Sequence, residues 1–155
     1  MPTTSDDSAA LVDLAAGRGA LVACALGLLI ATWVPVTRWA GEWEDTNGPL
    51  QEDVPPPVLL HNLWDLGGAG DVSGPLVALS LAVLAALCLA AVYLDGVLRV
   101  IAPVAGLVLM WAALHVLLGG LEGELTSARW LCLAVPAVTV LVGARTHAAC
   151  RRVFA

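Results

Sequence analysis

Four long apolar runs, with one extended polar stretch between the first and the second, set the pattern of the chain. The runs cover about 19–36, 75–94, 100–118 and 130–144. About 20 apolar residues in a helix cover a hydrocarbon core of ~30 Å. The pattern therefore predicts an all-α integral membrane protein: a four-transmembrane-helix bundle forming a single membrane domain over 1–155. Between helices 1 and 2 stands one large acidic extracytoplasmic loop, Thr37 to Gly74. It sets Glu42, Glu44, Asp45, Glu52, Asp53, Asp65 and Asp71 against Arg38. Residues 1–18 and 145–155 are left as cytoplasmic tails.

The boundaries carry local signals. Ser5, Asp6, Asp7 and Ser8 offer caps for a helix beginning near Ala9. A secretory signal would need a positive n-region and a small-residue cleavage site. Here that region is acidic apart from Arg18, so an uncleaved first span is expected. Pro75 suits the first turn of the second helix. An Asp95-Gly96 break and Arg99 precede the third run. Gly119-Gly120 opens a short loop with Glu122, Glu124 and Arg129. The fourth run ends in a basic tail from Arg145 to Arg152. Pro103 and Pro136 lie inside the third and fourth runs, where each removes a backbone donor and is a candidate kink.

Composition strengthens this class and narrows the partners. Hydrophobic residues make up 59% of the chain and charged ones 13%, with a mean hydropathy of +0.87; soluble domains carry about 25% charged residues. At 155 residues the chain has room for one bundle and no separate soluble domain. The net charge of -6 argues against nucleic acid, whose phosphates require a basic surface. All basic residues are arginine, and Ala, Leu, Val and Gly dominate, as in GC-rich bacterial genomes.

Arginine placement sets the expected orientation, because short cytoplasmic segments are enriched in Lys and Arg. With both termini inside, Arg18, Arg99, Arg145, Arg151 and Arg152 are cytoplasmic, and Arg38 and Arg129 lie outside. Trp33, Trp39 and Trp130 then fall near the outer boundary, where indoles favour the headgroup layer. The expected location is the cell membrane, multi-pass, with the bilayer as the first partner.

Small residues recur every fourth position in two helices. Gly19, Ala23, Gly27 and Ala31 form one stripe, and Ala78, Ala82, Ala86 and Ala90 form the other. Such stripes let helix backbones approach closely, so the first two helices are expected to pack stripe to stripe. Within the loop, Leu59, Leu60, Leu63 and Trp64 share a helical face, while His61, Asn62 and Asp65 are polar. Led in by Pro55-Pro56-Pro57 and stopped by Gly67-Gly68, this reads as a short interfacial helix. His61 and Asp65, at i and i+4, could pair or supply two metal ligands. Two ligands do not make a zinc site, and no metal or cofactor is expected.

Cys24, Cys88, Cys132 and Cys150 are isolated in sequence. Four-helix thiol oxidoreductases carry a C-x-x-C motif with loop cysteines, and this chain has neither. Small core residues are the expected role. His115 is the one histidine within an apolar run, and ionisable residues there are functional candidates. Trp111, His115 and Glu122 fall on roughly one side of the third helix. A stripe leading in from the acidic face and a neutral histidine bonded to a neighbouring helix are the two readings of that pattern. The layout of four spans with a large first loop resembles the claudin-type arrangement. That family's loop carries a Trp-containing motif followed by two disulfide-bonded cysteines; Trp43 and Trp64 are present here, but Thr37 to Gly74 has no cysteine. The resemblance covers topology, which assigns no function.

No nucleophile–base pair or paired catalytic carboxylates stand out. The expectation is a non-enzymatic accessory subunit or envelope scaffold, acting through helix packing and its outer loop. Its partner would be a second copy or a larger membrane protein. The alternative is a small oligomeric transporter or channel-like protein with an acidic outer vestibule and His115 in the path.

Overall fold

The computed structural model describes residues 4–40, 58–66, 73–115 and 124–154. Four helices dominate: α1 (Thr4–Trp33), α2 (Ser73–Tyr93), α3 (Asp95–Ala113) and α4 (Leu131–Phe154). Each contains a stretch long and apolar enough to cross a membrane: Ser8–Trp33, Gly74–Tyr93, Asp95–Ala113 and Leu131–Phe154. The helices form a closed ring in chain order, with α4 returning to pack on α1. Leu94 alone separates α2 from α3, so these two run antiparallel, as short connections require. The α1–α4 pair is also antiparallel: Gly17 meets Thr146, Gly27 meets Val135, and the Cys132 thiol donates to the Ala31 carbonyl at 3.6 Å.

One spacing runs through the buried positions of all four helices. It takes in Leu14, Leu21, Ala25, Leu28 and Thr32 in α1, and Val77, Leu81, Leu84, Cys88 and Ala91 in α2, with Cys24, Ala31, Ala78 and Ala85 buried beside them. In α3 it takes in Leu98, Ile101, Ala105, Val108 and Ala112, and in α4 Cys132, Pro136, Thr139, Gly143, Thr146 and Cys150, with Ala149 buried beside them. Steps of three and four alternate, which is the seam spacing of left-handed helix bundles. Lipid tails are as apolar as leucine, so burial from water does not hold such helices together; close contact does. Gly143 shows how close. A Cβ there would lie 2.7 Å from Ile101 Cγ2 and 3.3 Å from the Ala102 backbone nitrogen.

The structure departs from the four-residue stripes. Gly19 has nothing within 4 Å of its would-be Cβ, and Ala23 and Ala86 are exposed. Gly27 faces Val135 of α4. Ala31 and Ala78 are buried, while Ala82 and Ala90 are half-buried. The reason is geometric: four residues turn a helix by about 40° more than one revolution, so three steps drift by about 120°. Each stripe therefore winds off the contact face. Two helix limits also differ. Asp95 and Gly96 begin α3 rather than breaking the chain, and α4 runs on through the basic tail to Phe154. Both α3 and α4 continue through their internal prolines, Pro103 and Pro136.

At one end of the bundle the chain forms a small antiparallel sheet in the order β2-β1-β3. Its strands are β1 (Thr37–Ala40), β2 (Val58–His61) and β3 (Glu124–Leu125). The interfacial helix expected around Leu59 to Asp65 is absent; β2 and a turn take its place. The acidic residues Glu42 to Asp53, together with Asp71 and Glu122, lie outside the described residues.

Candidate functional site

The sheet end is built on Val36, the buried residue that follows α1. Its N–H donates to the His61 carbonyl and its own carbonyl accepts from Thr126 N–H, both at 2.9 Å. One residue thus carries bonds to the segments on both sides of β1. The register sets Thr37 opposite both His61 and Leu125, and Arg38 opposite both Leu60 and Glu124. The Thr126 hydroxyl also donates to the Pro35 carbonyl, fastening the approach to α4 onto the exit from α1. The sheet therefore joins both connections at this end, although Thr37 and Leu125 are far apart in sequence.

After β2 the chain turns on Asn62. Its side-chain oxygen accepts from the N–H groups of Trp64 at 2.8 Å and Asp65 at 3.2 Å, while the Asp65 carboxylate accepts from Asn62 N–H at 3.3 Å. This is an Asx turn, in which a side chain replaces a backbone partner. It corrects the expected i, i+4 relation of His61 and Asp65: one ends a strand and the other closes a turn. Leu63 is buried, and the start of α2 lies close beneath, where a Cβ at Gly74 would come 2.7 Å from the Leu63 carbonyl oxygen.

Indoles gather at this same end. Trp33 closes α1 and lies against Trp64 with ring centroids 6.3 Å apart. Trp111 sits near the end of α3, and Trp130 at the start of α4 with the Arg129 guanidinium 5.0 Å from its ring. All four are partly exposed, as in the aromatic belts of membrane–water boundaries. His115 meets Trp111 edge-on, 4.0 Å between centroids. The α-helix ends at Ala113, and Leu114 and His115 continue it as a π-helical turn, so His115 stands at the end of the third helix. Twenty residues from Asp95, it stands about 30 Å along the axis, a full hydrocarbon thickness away. Glu122, the third member of the proposed stripe, lies outside the described residues.

The features missed from sequence are Val36, Asn62, Thr126 and above all β2. Val58, Leu59 and Leu60 are 47%, 52% and 56% exposed. Among the described residues β2 is an edge strand, so its outer backbone groups face away from the sheet.

The opposite end carries five of the seven arginines, with Arg38 and Arg129 at the sheet end. Arg18 of α1 pairs with Asp95 at the start of α3. The described buried polar side chains are four threonines. Thr32, Thr139 and Thr146 donate to their own helix carbonyls at 2.7–2.8 Å, so their hydroxyls spend no interhelical bond.

No protein-family model, curated protein or solved structure matches the chain.

Proposed function

We propose that this is a non-enzymatic multi-pass protein of the cell membrane that acts by contact, as an accessory subunit or envelope scaffold. The sheet end faces outward and both termini lie in the cytoplasm. Arginine asymmetry supports this orientation, with Arg18, Arg99, Arg145, Arg151 and Arg152 at the opposite end from the sheet.

The observation that carries the reading is the exposed apolar edge strand Val58–Leu60 beside Trp33 and Trp64. An edge strand accepts a further strand through its free backbone groups, and flanking aromatics supply contact area. The bundle beneath is a rigid mount for that strand, tied to it through Val36 and Thr126.

A photo-crosslinking residue at Leu59 or Leu60 in intact cells should yield a discrete protein adduct. The same residue at Leu107, exposed on α3, should yield lipid adducts. Protein-free outcomes at both strand positions would remove the contact surface. A pH-dependent cation flux in vesicles that is lost in a folded His115→Gln variant would favour the transporter instead.

A further inference from the structure

An open groove runs along the seam between α1 and α4. Its middle, about 350 Å³, is lined by Ala20, Ala23, Cys24, Gly27, Val135 and Val138 among others, without a charged side chain. Through Ala20 and Val142 it continues into a second space of about 260 Å³, which Asp13, Gly17, Arg145 and Thr146 help to line. Asp13 and Arg145 thus border one space from two helices, yet they do not pair. The ion pair among the described residues is Arg18–Asp95. The Thr146 hydroxyl is already committed to the Val142 carbonyl at 2.7 Å. A carboxylate and a guanidinium are left open at the mouth of an apolar slot.

From Asp13 to Gly27 the groove follows about 21 Å of helix, against about 15 Å for the hydrocarbon of one leaflet. Its length and polarity match one lipid: a tail in the slot and a head at the charged mouth. A head of a single sign would leave one of the two charges without a partner. A zwitterion with a hydrogen-bonding cation satisfies both. We propose that the α1–α4 groove holds an aminophospholipid, its phosphate on Arg145 and its primary ammonium on Asp13. Arginine binds phosphate oxygens through paired N–H donors, and the ammonium donates to the carboxylate. Ala20, Ala23 and Gly27 keep the slot open by their small size.

Native mass spectrometry of the full chain in detergent tests this, with phosphatidylethanolamine, phosphatidylcholine and phosphatidylglycerol of identical tails as probes. One charge-assisted hydrogen bond corresponds to about tenfold in affinity, so phosphatidylethanolamine should be held about tenfold more tightly than either of the others. Asp13→Asn should bring it down to the level of phosphatidylcholine. Arg145→Gln should weaken all three lipids by about tenfold. Both residues are exposed, so these variants should fold. Ala23→Leu, which fills the slot, should weaken all three while keeping their order. Equal retention of the three lipids, or a preference that survives Asp13→Asn, overturns the proposal. So does a protein dimer that Ala23→Leu dissolves, which would assign the groove to a second copy of the chain.

Discussion

Gly143→Ala probes the α3–α4 contact with a single methyl group. Its Cβ would lie 2.7 Å from Ile101 Cγ2, 3.2 Å from Ile101 Cβ and 3.3 Å from the Ala102 backbone nitrogen. A flexible chain end could swing aside, but a helical isoleucine is held to one dominant rotamer. The Cβ and the backbone nitrogen cannot move without their helix. Overpacking of this kind costs about 1–3 kcal/mol, and removing a helical glycine returns up to about 1 kcal/mol. The net expectation is a loss of up to about 2 kcal/mol. Gly106 and Gly19 provide the control, because neither has an atom within 4 Å of the added Cβ. Alanine at those positions should be neutral or stabilising by up to about 1 kcal/mol. Reversible unfolding in mixed detergent micelles reads the difference. Gly143→Ala as stable as Gly106→Ala would refute the helix register, and a loss at Gly19→Ala would restore the four-residue stripe as a packing face.

Other substitutions test the two ends. A double-mutant cycle on Arg18→Gln and Asp95→Asn should give a coupling below about 1 kcal/mol, because the side chains are 32% and 47% exposed; a larger value would mean the pair is shielded from solvent. Thr126→Val should cost about 0.5–1.5 kcal/mol and speed hydrogen exchange at the Thr126 amide, with unchanged exchange contradicting its role in holding β3. Asn62→Ala removes the acceptor for two N–H groups and should loosen the turn by a similar amount, read as proteolytic cutting near Trp64.

The spans were legible because length and apolarity are the requirement for crossing a bilayer. Their contact faces were not. In α2 and α3 the side toward lipid is as apolar as the side toward neighbours, so Leu79 and Leu81 look alike in sequence, although one is exposed and the other buried. The alternating steps of three and four were present, hidden in a uniform background. In α4 that spacing continues through Thr146 and Cys150, which is why the helix outlasts the apolar run. The sheet was illegible for a different reason. Leu59, Leu60, Leu63 and Trp64 fit a helical face, and a short apolar run does not by itself separate strand from helix. What decides is the pairing of Val58–His61 with Thr37–Ala40, a contact remote along the chain. The ring contact of Trp111 with His115 is one that their i, i+4 spacing allows.

The contact reading requires the sheet end and the arginine end to lie in different aqueous compartments. Impermeant thiol labelling of Asn47→Cys and Ala148→Cys in intact cells tests that directly. Cys24, Cys88, Cys132 and Cys150 are buried, so the native chain supplies its own low background. Labelling at position 47 with position 148 protected until the cells are opened is the predicted result. Labelling at 148 but not at 47 in intact cells would invert the protein, and labelling at both would contradict the four-span arrangement.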